Sequence, residues 1–523
     1  MSSKKHESLI AQVEQMNEQE LRSALVEHLS NKKLGLVWES SDQAINSDVI
    51  LPELVEEMSC FNGESAPKNL IIEGDNFDSL RLLRNTHMGL IRVIYIDPPY
   101  NTGNKDWVYN DKYVGKNDKY RHSQWLEFMY QRMALARDLL TPDGVILISI
   151  NDENRSRLDL MMEEVMPGRK IGSLVWKTRS GANDKTGDNL SLDHEHILIY
   201  ANPGFGFNGY TKDFSQYKNP DNDVRGPWKR GDLTKGKSFL ECKNGYYPIL
   251  NPENNVWYPC NPSRGWAFSS EANTADTDSL RAKTMEQYIR EGKVLFPAAS
   301  DEKVVVWNSK EELFKAIESG DVPVTPRNKI PLITANLPDL EFWIGKPIGF
   351  GRPSFKRHLA DLKSEVRSVS SWIKGVGDEE NHDEFTVSMV SQMSGTGEHS
   401  VNEILGFKAF NFPKPMSLIK NLIQQCAKNT DIVLDFFGGS GTTAHAVLQA
   451  NAEDGGNRSF IICTSTEATV STPDRNICRD VCAERIRRVI HGYSKKPGLG
   501  GNFAYIKAVK TEDPTFLPGQ PRL

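Results

Sequence analysis

Cysteine is scarce and scattered in this chain: 7 among 523 residues, and no Cys-x-x-Cys pair occurs. Disulfide scaffolds and zinc modules built on cysteine pairs need the opposite pattern, so both are excluded and a reducing cytoplasm fits. No apolar run approaches the roughly 18 residues that a membrane-spanning helix needs, and mean hydropathy is -0.50. The opening MSSKKHESLIAQ has lysines but no apolar stretch behind them, which argues against a secretory signal. An excess of one charge is also missing. Lys and Arg number 63 against 69 Asp and Glu, a net of -6, so any nucleic-acid surface has to be local. Internal repeats and low-complexity tracts are absent as well. What remains is an ordinary globular composition, 25% charged and 38% hydrophobic, in a chain too long for one hydrophobic core.

The pattern of apolar residues divides this length. Leu9, Ile10, Val13, Leu21, Leu25 and Leu29 recur at helical spacing and predict an N-terminal helix over about 5–33. From 68 onward the pattern is βα. Asn69–Ile72, Ile91–Ile96, Val145–Ile150 and His196–Tyr200 read as strands, with helices over FDSLRLLRN and Trp125–Leu140. A second βα run begins at Asp431–Asp435, continues through Phe460–Cys463 and ends in a helix over Ile477–Ile490. Strands alternating with helices predict an α/β fold with a mostly parallel sheet covered on both faces. Between the two runs the composition changes: residues 201–270 hold 13 aromatics and nine Lys/Arg against six Asp/Glu. The expected organisation is an N-terminal arm (1–67), a first core half (68–200), an insert (201–405), a second core half (406–500) and a tail (501–523).

Two strand ends carry the chemistry. Asp97-Pro98-Pro99-Tyr100 follows the strand IRVIYI, and ligands of open α/β sheets bind at the carboxyl ends of strands. Consecutive prolines fix φ and remove N–H donors, leaving a rigid ribbon of carbonyl acceptors. With the Asp97 carboxylate and the Tyr100 ring, the set suits a planar substrate bearing an exocyclic amino group. Such an amine is a poor nucleophile because its lone pair is delocalised. Accepting both of its N–H bonds localises the pair and stabilises the positive charge that grows on nitrogen during attack. The second site is Asp435-Phe436-Phe437-Gly438-Gly439-Ser440-Gly441-Thr442-Thr443, after the strand DIVL. Its glycines admit a ligand close to the backbone and open a helix. No Lys-Ser/Thr follows, so this is not a phosphate-cradling P-loop. Glu467, 28 positions after Gly439, is placed to take ribose hydroxyls of an adenosine-type cofactor, NAD or S-adenosylmethionine.

Together DPPY and DFFGGSGTT resemble the amino-methyltransferases of DNA, in the β order that puts the catalytic motif before the cofactor motif. The similarity extends to the type III restriction-modification Mod subunit through LGLVWES (34–40), IIEGDN (71–76), YIDPPYNTGN (95–104) and RHSQWLEFM (121–129). DHEHILIYAN (193–202), GRPSFKRHL (351–359) and FNFPKPMSLIKNLI (410–423) continue it. The resemblance implies a Rossmann-like, circularly ordered S-adenosylmethionine-dependent methyltransferase sheet with a large target-recognition insert. It implies that Asp97, Pro98, Pro99 and Tyr100 hold a flipped base, and that Asp435, Phe437, Gly439, Gly441, Thr442, Glu467 and Lys414 serve the cofactor. Asp in the first position of DPPY resembles the adenine-N6 enzymes, whereas Ser is the usual cytosine-N4 choice. Double-stranded DNA, a homodimer and a Res-like helicase-nuclease subunit are the implied partners. A cytosine-N4 enzyme on the same scaffold and a DNA-binding specificity subunit without activity are the alternatives.

The insert supplies Lys229, Arg230, Lys235, Lys237 and Arg264 as candidate DNA contacts, since Lys and Arg suit phosphates and guanine edges. Most of its aromatics are expected to be core. His194 and His196 share a strand face, but the sequence offers no evident third ligand, so no metal is expected. The basic stretch GRPSFKRHLADLKSEVR reads either as a DNA-backbone contact or as a solvated helix.

Overall fold

The computed structural model describes residues 49–61, 67–102, 104–109, 112–115, 121–181, 189–274, 280, 282–298, 300, 302–326, 328–362, 364–379, 386–468 and 472–511. The expected N-terminal helix over 5–33 and the LGLVWES motif lie outside them. The chain forms two compact units, one up to Tyr210 and again from Val366, the other Thr211–Glu365.

The first unit is built on an eleven-stranded sheet. In chain order its strands are β1 (Val49–Leu54), β2 (Leu70–Glu73), β3 (Ile91–Ile96), β4 (Leu140–Ile150), β5 (Lys170–Lys177) and β6 (His194–Ala201). They continue as β7 (Trp372–Gly375), β8 (Val390–Ser391), β9 (Ile432–Asp435), β10 (Ser459–Thr464) and β11 (Ala504–Thr511). Across the sheet the order is β1-β11-β2-β10-β9-β3-β4-β6-β5-β7-β8. From β11 to β4 every neighbour is parallel, whereas β6 runs antiparallel to both β4 and β5.

All six residues of β3 are buried, as expected of a parallel strand covered on both faces. Because side chains alternate along a strand, Val93 and Tyr95 feed one core and Ile94 and Ile96 the other. The first core is closed by helices that include α5 (Met416–Cys426) and α6 (Thr442–Asp454). The second is closed by α1 (Asn76–His87), α2 (Arg121–Leu139) and α3 (Asp152–Val165). The first unit's other helices among the described residues are α4 (Gly395–Leu405) and α7 (Glu484–His491), the latter continuing a π-helical turn at Cys478–Ala483. No helix among the described residues is long and apolar enough to cross a membrane.

The structure redraws three expected boundaries. Val49–Leu54, placed in the N-terminal arm, is a sheet strand, and so is Ala504–Thr511, placed in the tail; the two pair antiparallel at the sheet edge. The expected insert 201–405 is also too wide, because the second unit spans only Thr211–Glu365. Residues 366–405 return to the first unit as β7, β8 and α4.

The second unit carries small sheets around an aromatic core. Ser354–His358 lies between Trp228–Gly231 and Val294–Leu295, and Ile249–Asn251, Val256–Tyr258, Pro347–Gly349 and Val304–Val306 form another sheet. Tyr247, Tyr258 and Trp266 are buried, and Phe268, Tyr288 and Phe355 pack with ring centroids 4.4 to 5.1 Å apart. GRPSFKRHL is thus mainly a strand rather than a helix. Its Lys356 and His358 point inward, where Lys356 meets Asp221 and Asp223 and His358 meets Asp223. A buried ammonium needs such partners, so Lys356 is not available to a phosphate backbone.

Candidate active site

β3 and β9 are parallel neighbours, in register Val93 to Val433 and Ile94 to Leu434. Asp97 and Asp435 therefore leave the sheet at the same edge. The loop after β3 is pinned by its own carbonyls. Trp125 Nε1 donates to the Pro99 carbonyl at 2.8 Å, and Asn154 Nδ2 donates to the Tyr100 carbonyl at 2.7 Å. Asn101 then turns with φ +56°. The Pro98 carbonyl accepts no hydrogen bond among the described residues.

The Asp97 carboxylate receives Lys414 Nζ on both oxygens, each at 2.8 Å. The same ammonium lies 3.4 Å from Glu195 Oε2 and 4.9 Å from the centroid of the Tyr100 ring. Tyr100 donates its hydroxyl to Glu195 Oε2 at 3.0 Å. Burial pushes the Asp97 carboxyl up, with Glu195 adding to the rise and Lys414 opposing it. Burial alone would lower Lys414, but Asp97 and Glu195 outweigh it and its pKa is raised. Burial, Asp97 and Glu195 all raise Tyr100, so its phenol is a neutral donor.

The glycine loop is shaped from within. Asp435 accepts from the Phe437 amide at 2.9 Å and from Thr443 Oγ1 at 2.5 Å. Burial pushes its pKa up to about 7. The Gly438 amide donates to the Cys463 carbonyl at 3.1 Å. Gly439 and Gly441 have φ of +47° and +75°, and Gly441 caps α6. A Cβ on Gly438 would stand 2.2 Å from Ile462 Cγ2, and one on Gly441 would stand 3.0 Å from Cys482 Sγ. Thr442 is buried and accepts from Arg485 at 2.7 Å. Half-buried Phe437 lies 6.1 Å, centroid to centroid, from Phe128. Glu467 follows β10 with φ +52°, and its carboxylate is 47% exposed beside Arg475 at 3.1 Å.

The sequence-derived residues thus fall into groups. Asp97, Pro98, Pro99 and Tyr100 form one cluster, and Lys414, expected at the cofactor, joins it through Asp97. Gly439 and Gly441 shape the loop. Asp435 and Thr442 are spent holding that loop closed, since their polar atoms meet the chain's own groups. Sequence reasoning missed Glu195, Trp125, Asn154, Thr443 and Arg485. Glu195 lies inside DHEHI, where the flanking histidines are the more conspicuous ligand types. Arg485 is buried and bonds the Ser440 carbonyl, Ser440 Oγ and Thr442 Oγ1 at 2.7 to 3.1 Å. It has no carboxylate partner among the described residues, and its charge helps push His445 down to about 3 after burial.

The histidine pair does gain a third group. Asp152 lies 2.7 Å from His196 Nε2 and 3.5 Å from His194 Nε2, and the three could hold a metal by distance. The short Asp152–His196 hydrogen bond already accounts for the contact by tying β6 to α3. In the second unit Arg230, Lys237 and Arg264 are exposed, and Lys229 and Lys235 are half-buried. Arg264 stands 3.5 Å from Asp232, and Lys229 lies 5.2 Å from the centroid of the Tyr217 ring.

Known proteins resemble this chain over most of its length. The DNA methylase family pattern matches residues 91–471. The StyLTI Mod subunit of the type III restriction-modification enzyme of Salmonella typhimurium is 30% identical over 84% of this chain and 59% of its own length. The EcoPI Mod subunit of Escherichia phage P1 is 30% identical over 94% of this chain and 73% of its own length. The type II methyltransferase M.KpnI of Klebsiella pneumoniae is 26% identical, covering 80% of this chain and 85% of its own length. The chain thus spans about three fifths of the first relative. Among solved structures, the M1.HpyAVI–SAM complex has a TM-score of 0.28 at 11% identity, covering 77% of this chain and 96% of that one. The cytosine-N4-specific PvuII DNA methyltransferase has a TM-score of 0.33 at 9% identity, with 78% and 86% covered. The match over residues 91–471 takes in both strand ends that carry the site, and the chain belongs to the DNA methylase family.

Proposed function

We propose that this chain is a site-specific DNA methyltransferase acting on N6 of an adenine flipped out of double-stranded DNA, with S-adenosylmethionine as methyl donor. The observation that carries the reading is the pairing of two acceptors, Asp97 and a Pro98 carbonyl without a hydrogen bond among the described residues, with a glycine loop on the adjacent parallel strand. The loop fits the cofactor: it opens a helix, its glycines have the backbone freedom a close ligand needs, and Phe437 and Glu467 flank it with a ring face and a part-exposed carboxylate. When bound, S-adenosylmethionine supplies an electrophilic methyl group on a positively charged sulfur.

The chain's own residues do the rest. Asp97 and the Pro98 carbonyl accept the two amino protons, which localises the nitrogen lone pair, and Tyr100 offers a ring face to the base. As nitrogen gains the methyl group it becomes cationic beside Asp97, and its surplus proton leaves through that carboxylate, whose raised pKa suits it to accept one. Flipping the base costs a few kcal/mol. Lys229, Arg230, Lys235, Lys237 and Arg264 are the proposed DNA contacts of a target-recognition unit. A cytoplasmic location, a homodimer and a Res-like helicase-nuclease partner complete the proposal, which the similarity to type III Mod subunits supports.

The test is transfer of labelled methyl from S-adenosylmethionine to DNA from a host without adenine methylation, followed by digestion to nucleosides. N6-methyladenine is expected, with Asp97→Ala lower by about 10²-fold or more. N4-methylcytosine as the labelled product overturns the choice of base. No label, from folded protein that binds S-adenosylhomocysteine, overturns the activity in favour of a specificity subunit.

A further inference from the structure

One carboxylate of the site has no task in this scheme. Glu195 projects from β6 on the strand face opposite His194 and His196. Its Oε2 is 3.4 Å from Lys414 Nζ and accepts the Tyr100 hydroxyl at 3.0 Å. Both oxygens of Asp97, meanwhile, are taken by that same ammonium. The ammonium bridges the two oxygens, so an amino group arriving at Asp97 competes with it for the carboxylate's charge, although each oxygen keeps a further lone pair. An ammonium with no other acceptor would compete with the base and leave a buried cation unpaired.

We propose that Glu195 is the second seat of the Lys414 ammonium. When the base amine takes Asp97, Lys414 moves onto Glu195, which holds the site at a net charge of one negative around the reacting nitrogen. Glu195 and Lys414 are thus positioning residues acting through Asp97, and the inference rests on the reading of Asp97 as acceptor of a base amine.

The charge balance gives the arrangement its purpose. Asp97 and Glu195 are two negative charges and Lys414 is one positive charge. During transfer a positive charge appears on the nitrogen held at Asp97. A site that is already net negative stabilises that state more than the neutral amine before it, which is the differential binding that raises a rate. Without Glu195 the Asp97–Lys414 pair sums to zero and the preference is lost. Tyr100 links the parts, since its hydroxyl orients Glu195 while its ring lies beneath the ammonium.

The groups that face Asp97 are Lys414 from the segment before α5, Glu195 from β6, Tyr100 from its own loop, Tyr95 from β3 and Asp435 from β9. Glu195 raises the Asp97 pKa and Lys414 lowers it. Because the ionised carboxylate is the form that accepts, the acid limb of kcat/KM for DNA follows that pKa. Glu195→Gln keeps an acceptor for Tyr100 but removes the charge, and is expected to move the acid limb to lower pH while kcat falls about tenfold or more. Lys414→Met is expected to move the limb the opposite way. Calorimetric binding of S-adenosylhomocysteine to Glu195→Gln is expected to stay within about twofold of the unaltered chain, since the substitution leaves the glycine loop intact.

Unmethylated genomic DNA is the substrate for all three proteins. Limbs that shift in the same direction, or a Glu195→Gln protein with unchanged kcat and pH profile, overturn the inference while leaving the methyltransferase reading intact. Absence of transfer by the unaltered chain overturns both.

Discussion

Asp97 and Asp435 are carboxyl groups at the ends of neighbouring strands, both raised by burial but held by different partners. Asp97 is held as an acceptor by an ammonium, whereas among the described residues Asp435 has the Thr443 hydroxyl and the Phe437 amide. Burial pushes Asp435 up to about 7, against an ordinary 3.8. A carboxyl raised on folding contributes stability that is complete below its unfolded pKa and is lost as pH rises through the folded one. Between about pH 4 and pH 7 the native state therefore loses up to roughly 1.4 kcal/mol per pH unit through this group. Asn at this position accepts from the Phe437 amide and donates to Thr443 without ionising. The melting temperature of Asp435→Asn should match the unaltered chain near pH 4, exceed it increasingly up to pH 7, and hold that advantage above. A constant offset across that range would mean that Asp435 does not titrate there. The sequence made Asp435 legible as part of a motif and suggested a cofactor contact. That it is spent inside the loop depends on Thr443, eight positions on, and no local pattern encodes that bond.

At the scale of elements, the parallel strands β2, β3, β4, β9 and β10 were legible, because strands buried on both faces read as unbroken apolar runs, whereas β1, β5, β7, β8 and β11 were not read. β3 was read with the bounds it has, and β9 and β10 to within a residue at each end. β7 was not legible. It is four residues long with Ile373 as its one fully buried apolar side chain, too little for a period-two pattern. β6 was found, but its antiparallel direction depends on partners and cannot be read from its own residues. The turn into α6 was legible from its glycines, while the buried Arg485 beneath it was hidden in what reads as an ordinary helix.

That turn yields the next prediction. Gly441→Ala forces a side chain into φ +75° and sets its Cβ 3.0 Å from Cys482 Sγ, whereas Gly455→Ala has a similar φ of +70° with open space around it. Both pay about 1–2 kcal/mol for the left-handed backbone. Only Gly441→Ala should also shift the loop and weaken S-adenosylhomocysteine binding, by about tenfold or more in calorimetry. Equal affinities in the two variants would remove the loop from the cofactor site.

At the scale of the molecule, the aromatic and basic shift at 201 announced the insert but misplaced its ends, since composition changes before the second unit begins and 366–405 carries no comparable signal. The true ends lie beside each other: the Lys212 amide donates to the Glu365 carbonyl at 3.0 Å, and Lys212 Nζ reaches the Ser364 carbonyl at 2.8 Å. Chain that enters and leaves a unit at one point can be removed without stretching what remains. The unit also buries its own aromatic cores, so the first unit's two cores do not depend on its side chains for their packing. Replacing 213–364 with a Gly-Ser linker of about four residues should therefore leave a protein that folds and binds S-adenosylhomocysteine within a few-fold of the full chain. Methyl transfer to DNA should fall steeply, and any that remains should be spread over sequences rather than confined to one motif, because the proposed contacts Lys229, Arg230, Lys235, Lys237 and Arg264 are gone. Sequencing of methylated bases after expression in an unmethylated host reads the outcome. Methylation that stays confined to the full chain's motif would place recognition in the first unit and overturn the assignment of 211–365 as the reader of sequence.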